Sequence, residues 1–302
     1  MQKKESKVII FTLFFVILFL FSHRFLNPDG KSVLGVSTFK SWFGSNKHTY
    51  DLKNIVESSM VGANGSYAIV VQNLKDPKDA YALKEHDEFE TGSLYKLWIM
   101  AAVFKEIAKG TLQEDSQLSE DIAVLNERFD IGSDSAEMND GVITFTVSDA
   151  LKQMITISHN YAALLLTEKI GLSTVGKFLK DEGFSESKID PPKSTAYDIA
   201  KFFEKLYDGE LGTSENSKKM IVLLKQQELN DKLPKYLPDG VDVAHKTGEL
   251  GLISHDAGII FSGHGDYVIV VLSDTDYPPS AEDRIAQLSK AVYTYFQNSR
   301  GK

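Results

Sequence analysis

The chain reads as an α+β fold, an α/β sandwich: one antiparallel sheet built from strands at both ends of a globular region, flanked by helices, with an all-helical subdomain inserted between them. Three observations carry this reading. Apolar runs of strand type occur at 67–71 and 80–83 and again at 241–247, 255–261 and 267–272, with only a brief extended piece at 143–147 in between. The 302 residues are 42% hydrophobic and 25% charged, the balance of an ordinary globular protein with room for one large or two modest domains. No internal repeat is visible, so distant strands must meet in one sheet with the intervening chain packed as helices.

The elements follow in order. Lys3, Lys4 and Lys7 precede an almost purely apolar run at 8–21, broken only by Thr12, with His23 and Arg24 behind it. Such a terminal segment is expected to be a membrane anchor. Residues 1–26 then form a short cytoplasmic tail and a membrane contact over 8–26, Phe25 and Leu26 extending the span if Arg24 snorkels to the interface. No small-residue cleavage site follows closely, so the segment is expected to stay attached. Its basic amino-side flank then puts the rest of the chain outside the cytoplasm, secreted if the segment is cut after all. Residues 27–49 are rich in Ser, Gly and Lys, carry the turn signal Asn27-Pro28-Asp29-Gly30, and read as a linker to a domain spanning 50–302.

Within that domain, 52–60 has helical spacing, and the strands at 67–71 and 80–83 are joined by a turn at Asp76-Pro77. A buried helix follows Ser93 and ends near Gly110. The stretch 113–141 is acidic and polar, with short helical pieces at best. Ser148-Asp149 opens a helix to 155, and 161–170 and 175–179 continue the helical spacing with Gly171 and Gly183 as stops. Asp190-Pro191-Pro192 breaks the pattern before helices at 197–207 and 218–229. The last strands form two hairpins, the second turning at 263–266. A closing helix at 281–296 aligns Ile285, Leu288, Val292 and Tyr295 on one face.

Composition removes several classes of function. A formal net charge of −9 argues against nucleic acid as a partner, since phosphate binding needs a basic surface. The absence of cysteine excludes disulfides, thiolate chemistry and Cys-based lipidation. No zinc-type ligand cluster is apparent, so neither metal nor cofactor is expected, and a monomer is the simplest assembly.

The chemistry gathers on three short motifs. In Thr91-Gly92-Ser93-Leu94-Tyr95-Lys96-Leu97-Trp98, Ser93 and Lys96 are three apart, which at helical spacing puts hydroxyl and amine on one face. A serine attacks a carbonyl only if a neighbour takes its proton. A lysine serves when burial and other cations lower its pKa, and the apolar run 94–104 supplies such a setting. Ser158-His159-Asn160 lies where one helix ends and the next starts, and His245-Lys246-Thr247-Gly248 sits on a strand. Taken singly, each has an ordinary reading, as a helix cap or an exposed strand end.

Taken together and in this order, the motifs make the set S-x-x-K, S-x-N, K-T-G. In this the chain resembles class A β-lactamases and penicillin-binding proteins, the superfamily of active-site serine acyl enzymes, from about Tyr50 to the end. The stretch 156–166 resembles the family's second-motif helix start, and His255-Asp256-Ala257-Gly258 the strand after K-T-G. The resemblance implies a β-lactamase/transpeptidase-like fold and a serine hydrolase acting on β-lactams or cell-wall peptides ending in D-alanyl-D-alanine. It implies Ser93 as nucleophile, Lys96 as proton acceptor, and Ser158 as relay to the leaving nitrogen. Lys246 and Thr247 would bind the substrate carboxylate, and Asn160 its side-chain amide. Gly248 would let substrate lie along the strand edge, and the backbone N–H groups of Ser93 and Glu249 would form the oxyanion hole. His159 and His245 are expected to be structural or peripheral, His255 a candidate for binding a carboxylate, and Glu168 and Lys169 a solvated face.

Two departures from the family stand out. The loop whose glutamate activates the deacylating water is missing: the chain runs from Lys188-Ile189-Asp190 through Pro191-Pro192-Lys193 into Ser194, with Lys193 about where the glutamate belongs. Glu182, Glu186 and Asp190 are the nearby carboxylates, and none is a convincing substitute. The second motif also carries His159 in place of the usual aspartate. The resemblance therefore implies acylation with slow deacylation. A D,D-carboxypeptidase or transpeptidase of peptidoglycan, and a non-catalytic cell-wall binding domain on the same fold, remain the alternatives.

Overall fold

The computed structural model describes residues 47–298. The anchor at 8–26 and all but the last three residues of the linker lie outside them. Those three residues already belong to the first helix, α1 (Lys47–Ser59), which starts five residues before the expected 52. Among the described residues no helix is long and apolar enough to cross a membrane.

The centre is a five-stranded antiparallel sheet of β1 (Ser66–Asn73), β2 (Ala80–Leu83), β8 (Asp242–Leu250), β9 (Ile253–Phe261) and β10 (Tyr267–Asp274), in the order β2-β1-β10-β9-β8. Strand β1 pairs with β10 from Ser66↔Asp274 to Asn73↔Tyr267, joining the two ends of the domain. Its alternation explains why the run is apolar throughout. Ile69 and Val71 face α1 and the closing helix α9 (Pro278–Asn298), whereas Ala68 and Val70 face the larger core on the other side. On that larger side α2 (Lys96–Ala108) is buried from Lys96 through Phe104, so the helix is apolar on every face of its first turns.

The inserted region is mainly helical: α3 (Ile122–Arg128), α4 (Val147–Thr156), α5 (Asn160–Ile170), α6 (Leu172–Asp181), α7 (Ala196–Tyr207) and α8 (Ser214–Lys225). Polar side chains fix four of the helix starts: Asp121, Thr146, Thr195 and Thr213 each accept from a backbone N–H of the first turn. Thr213 explains why α8 begins four residues before the expected 218.

Two small sheets interrupt the helices. The polar stretch 113–141 hides β4 (Gln117–Asp121), which pairs with β5 (Val142–Thr146), a partner too distant for local pattern to reveal. The expected break at 190–192 is instead a tight hairpin of β6 (Lys188–Ile189) and β7 (Pro192–Ser194), and β7 also pairs with β3 (Phe89–Glu90). Prolines are tolerated there because these two- and three-residue strands need few ladder bonds. This hairpin brings Pro191 and Pro192 beside the turn that carries Ser93.

Candidate active site

The residues 92–95 before α2 form a single 3₁₀ turn, Gly92–Tyr95. Such a turn has three residues per revolution, so Ser93 and Lys96 are eclipsed. The Lys96 ammonium nitrogen lies 3.2 Å from Ser93 Oγ. It also reaches Ser158 Oγ at 3.1 Å, the Ser158 carbonyl at 2.6 Å and Asn160 Oδ1 at 2.6 Å. Lys96 is fully buried, and burial first, then the charge of Lys246, hold its pKa well below the ordinary lysine value against the opposing pull of Glu137. The amine is thus biased towards its neutral, proton-accepting form.

Ser158 reaches this position through its backbone. It follows the end of α4 with φ +60°, the left-handed region in which a side chain other than Gly, Asn or Asp is strained, by about 1–2 kcal/mol. The conformation aims its hydroxyl between two lysines, since Lys246 Nζ also donates to Ser158 Oγ at 3.0 Å. Lys246 is buried on β8, and burial lowers its pKa to about 7 although Asp256 and Glu249 pull it upward. Asn160 opens α5 and spans two groups: its Oδ1 takes Lys96, and its Nδ2 donates to Glu137 Oε1.

Histidine stands in for the expected aspartate at 159 without loss of the turn. Its Nδ1 accepts from the Ala162 N–H and caps α5, the service an aspartate gives at a helix start, while its ring meets Phe145 edge-on. His245 is buried between Asp256, at 2.9 Å from Nδ1, and Asn230 Oδ1, at 3.0 Å from Nε2. His255 corrects the expectation of a carboxylate ligand. It is fully buried, its Nε2 donates to the Glu90 carbonyl at 2.8 Å and its Nδ1 accepts from the Ser273 N–H. Burial lowers its pKa to about 4, so it is neutral and has no free edge for substrate.

Glycines set the fit between β8 and the serine turn. A Cβ at Gly248 would lie 2.6 Å from the Thr91 carbonyl and 2.9 Å from Leu94 Cγ, so what Gly248 directly accommodates is the turn bearing Ser93. That is a different neighbour from the substrate expected there. Gly92 answers from the other side, with φ +49° and a missing Cβ that would meet the Glu249 nitrogen at 2.7 Å.

A cleft of about 310 Å³ opens over this arrangement. Ser93, Ser158, Asn160, Thr247 and Glu249 line it, so all three motifs contribute. Its other walls include Glu90, Tyr95, Glu137, Pro191, Pro192 and Leu229. Lys193 turns away to Glu88 at 2.9 Å. Glu182 is engaged by Lys105 and Lys205, Glu186 by His86 and Thr195, and neither lines the cleft; nor does Asp190. Glu168 is not simply solvated either, because it pairs with Arg128.

Sequence reading passed over Glu137, Tyr95 and Lys232. Glu137 comes from the featureless acidic stretch, and Tyr95 looked like core beside Trp98. Lys232 is fully buried and contacts Glu249 at 2.5 Å and Asp231 at 3.6 Å. Burial disfavours its charge, but Asp256, Glu249 and Asp231 together raise its pKa. Carboxylate oxygens of Asp231, Glu249 and Glu282 come within 4.8 Å of one another, and Lys232 already supplies a cation there.

A sheet with helices on both sides, and a serine whose hydroxyl is shared with a buried lysine, define a class of serine acyl enzymes. The chain belongs to the β-lactamase enzyme family, whose model matches residues 49–296. It is accordingly a serine hydrolase of the β-lactamase type. Among solved structures it is similar to PBP-A, at 20% identity and a TM-score of 0.70 over 82% of this chain and 96% of that one. A β-lactamase from Sphaerobacter thermophilus DSM 20745 matches at 20% identity and TM-score 0.71, covering 82% and 97% of the two chains. The TLA-3 extended-spectrum β-lactamase matches at 19% and 0.71, covering 82% and 98%. At these identities the likeness is one of fold. No curated protein matches the sequence.

Proposed function

We propose that the protein is a membrane-anchored, extracytoplasmic acyl enzyme that opens β-lactams, or D-alanyl-D-alanine-type peptides, on Ser93 and releases the product slowly. The observation that carries this is Lys96, fully buried, with its pKa depressed, and within hydrogen-bond reach of Ser93 Oγ at 3.2 Å and Ser158 Oγ at 3.1 Å. Neutral Lys96 takes the proton of Ser93 as Oγ attacks the carbonyl carbon. The oxyanion is received by the backbone N–H groups of Ser93 and Glu249. As the C–N bond breaks, the proton passes from Lys96 through Ser158 to the leaving nitrogen. Lys246 and Thr247 bind the substrate carboxylate, and that charge in turn favours the protonated form of Lys246. A penicillin G acyl enzyme is known for a PBP-A mutant, 21% identical to this chain, which supports the same class of adduct here.

Slow release follows from the wall opposite. Deacylation needs a base positioned on water, worth about 10²- to 10⁴-fold. Lys193, about where the family's glutamate belongs, is paired with Glu88, and its neighbours Pro191 and Pro192, which line the cleft, offer no base. Monomeric state and attachment through residues 8–26 belong to the same proposal.

The test is intact-mass spectrometry after mixing the full-length protein with benzylpenicillin. A stable adduct of one penicillin, lost in Ser93→Ala, is expected. No adduct overturns the acyl-enzyme reading and favours a binding domain; rapid turnover overturns slow release and makes Glu137 the base to examine. Replacing penicillin with a D-alanyl-D-alanine peptide and following D-alanine release separates lactam chemistry from peptidase chemistry.

A further inference from the structure

We infer that the cleft contains a recognition site for a positively charged amine on the acyl side of the substrate, formed by Glu137 and Tyr95. The inference rests on the acyl-enzyme reading above and adds a specificity to it.

Two independent observations point to a ligand group. The Tyr95 side chain lines the cleft and is only 8% exposed, yet its hydroxyl has no hydrogen-bond partner. A buried hydroxyl left unpaired costs about 1–3 kcal/mol, which an incoming polar group would relieve. Glu137 lies close enough to Tyr95 and Lys96 for its charge to act on both: burial first, then Glu137, raises the Tyr95 pKa, and Glu137 opposes the fall in the Lys96 pKa. Its carboxylate nevertheless forms no ion pair among the described residues. The partner it has is the neutral amide of Asn160.

That partnership bears directly on substrate choice. Asn160 Nδ2 is the donor that an acylamino carbonyl would use, and Glu137 occupies it. A neutral acyl chain must take this donor from a carboxylate with nothing to offer the carboxylate in return. An ammonium group on the same acyl chain changes the exchange. It donates one N–H to Glu137, drawing the carboxylate from Asn160, and the movement opens the enclosed Tyr95 hydroxyl to a second N–H. Glu249, which also lines the cleft, differs in this respect, being already held by Lys232.

Ampicillin and benzylpenicillin make a matched pair, because the first carries an ammonium where the second carries hydrogen on the carbon beside the side-chain carbonyl. Second-order acylation rates of the full-length protein, followed by intact mass, are expected to favour ampicillin by about tenfold, the worth of one charge-assisted hydrogen bond. The preference should shrink with added salt. Glu137→Gln, an isosteric change at an exposed position, should bring the ratio towards one and speed benzylpenicillin. Glu137→Asp should keep part of the preference. Tyr95→Phe should lower the ratio with no loss of thermal stability, since it removes a hydroxyl that bonds to nothing. Equal rates in the wild-type protein, or a ratio unchanged in Glu137→Gln, overturn this inference while leaving the acyl enzyme intact. Labelling by neither compound overturns both.

Discussion

Lys96 and Lys246 approach the same oxygen, the hydroxyl of Ser158, from 3.1 and 3.0 Å. Two ammonium groups on one buried hydroxyl repel, so the site favours one neutral and one charged lysine. Acylation needs Lys96 as the neutral one and Lys246 charged for the substrate carboxylate. With the free-enzyme pKa of Lys246 at about 7, the second-order acylation rate should fall as pH rises through that value. Lys246→Arg keeps its charge throughout, so the alkaline fall should disappear even if the maximum is lower. Stopped-flow acylation across pH reads the difference; an identical alkaline limb in the variant would contradict it.

The same lysine makes a separate claim about folding. Its pKa is about 7 when folded and about 10.4 in an unfolded chain. Between those values the unfolded chain binds more protons, so unfolding free energy rises with pH. The melting temperature should therefore increase from about pH 7 towards about pH 9, and Lys246→Met should reduce the rise to the part that Lys96 supplies. Calorimetry of the two proteins across that range is the check.

Ser93→Ala should abolish covalent labelling, because Ser158, the other cleft hydroxyl within reach of Lys96, is also held by Lys246 and is assigned to relay the proton rather than to attack. Lys96→Arg should also fail, despite keeping the charge. A guanidinium stays protonated and cannot accept from Ser93, so labelling should slow by about 10²- to 10⁴-fold. Both are read by intact mass.

Gly248→Ala would push a methyl group to 2.6 Å from the Thr91 backbone carbonyl, which has no side-chain freedom to give way. The serine turn must move away from β8. A stability loss of about 1–3 kcal/mol in urea denaturation is expected, together with a fall in acylation larger than that loss explains. Unchanged labelling would mean that the turn and β8 do not need this spacing.

At the start of α5, His159→Ala should cost about 1 kcal/mol as a lost helix cap, while His159→Asp should restore it. Denaturant midpoints of the three proteins measure this directly. Equal midpoints for His159→Ala and the wild type would remove the histidine from the cap.

Much of the molecule was legible because its signals are local or ordered along the chain. Periodicity located the five strands of the central sheet and most helices, and it predicted the burial of Lys96. Motif order brought Ser93, Ser158 and Lys246 together on paper before distance did. What escaped depended on partners far away. Strand β4 becomes a strand by pairing with β5, and Pro191-Pro192 forms a hairpin because β3 lies beside it. Glu137 is an ordinary acidic residue until the fold sets it against Asn160, which is 23 positions further on. The misjudged role of His255 has the same origin, since nothing in its neighbourhood announces Ser273 and Glu90 as partners.

The pairing of β1 with β10 has a consequence for how the protein comes into being. Ser66 must find Asp274, so the central sheet cannot close while the last quarter of the chain is still being synthesised. The strand carrying Lys246 lies at the far edge, bound to the rest of the sheet through β9 and β10. Until those late strands dock, Ser93 has its amine but no second cation beside it. A chain truncated before β10 is expected to lack the paired lysines and to stay unlabelled by penicillin.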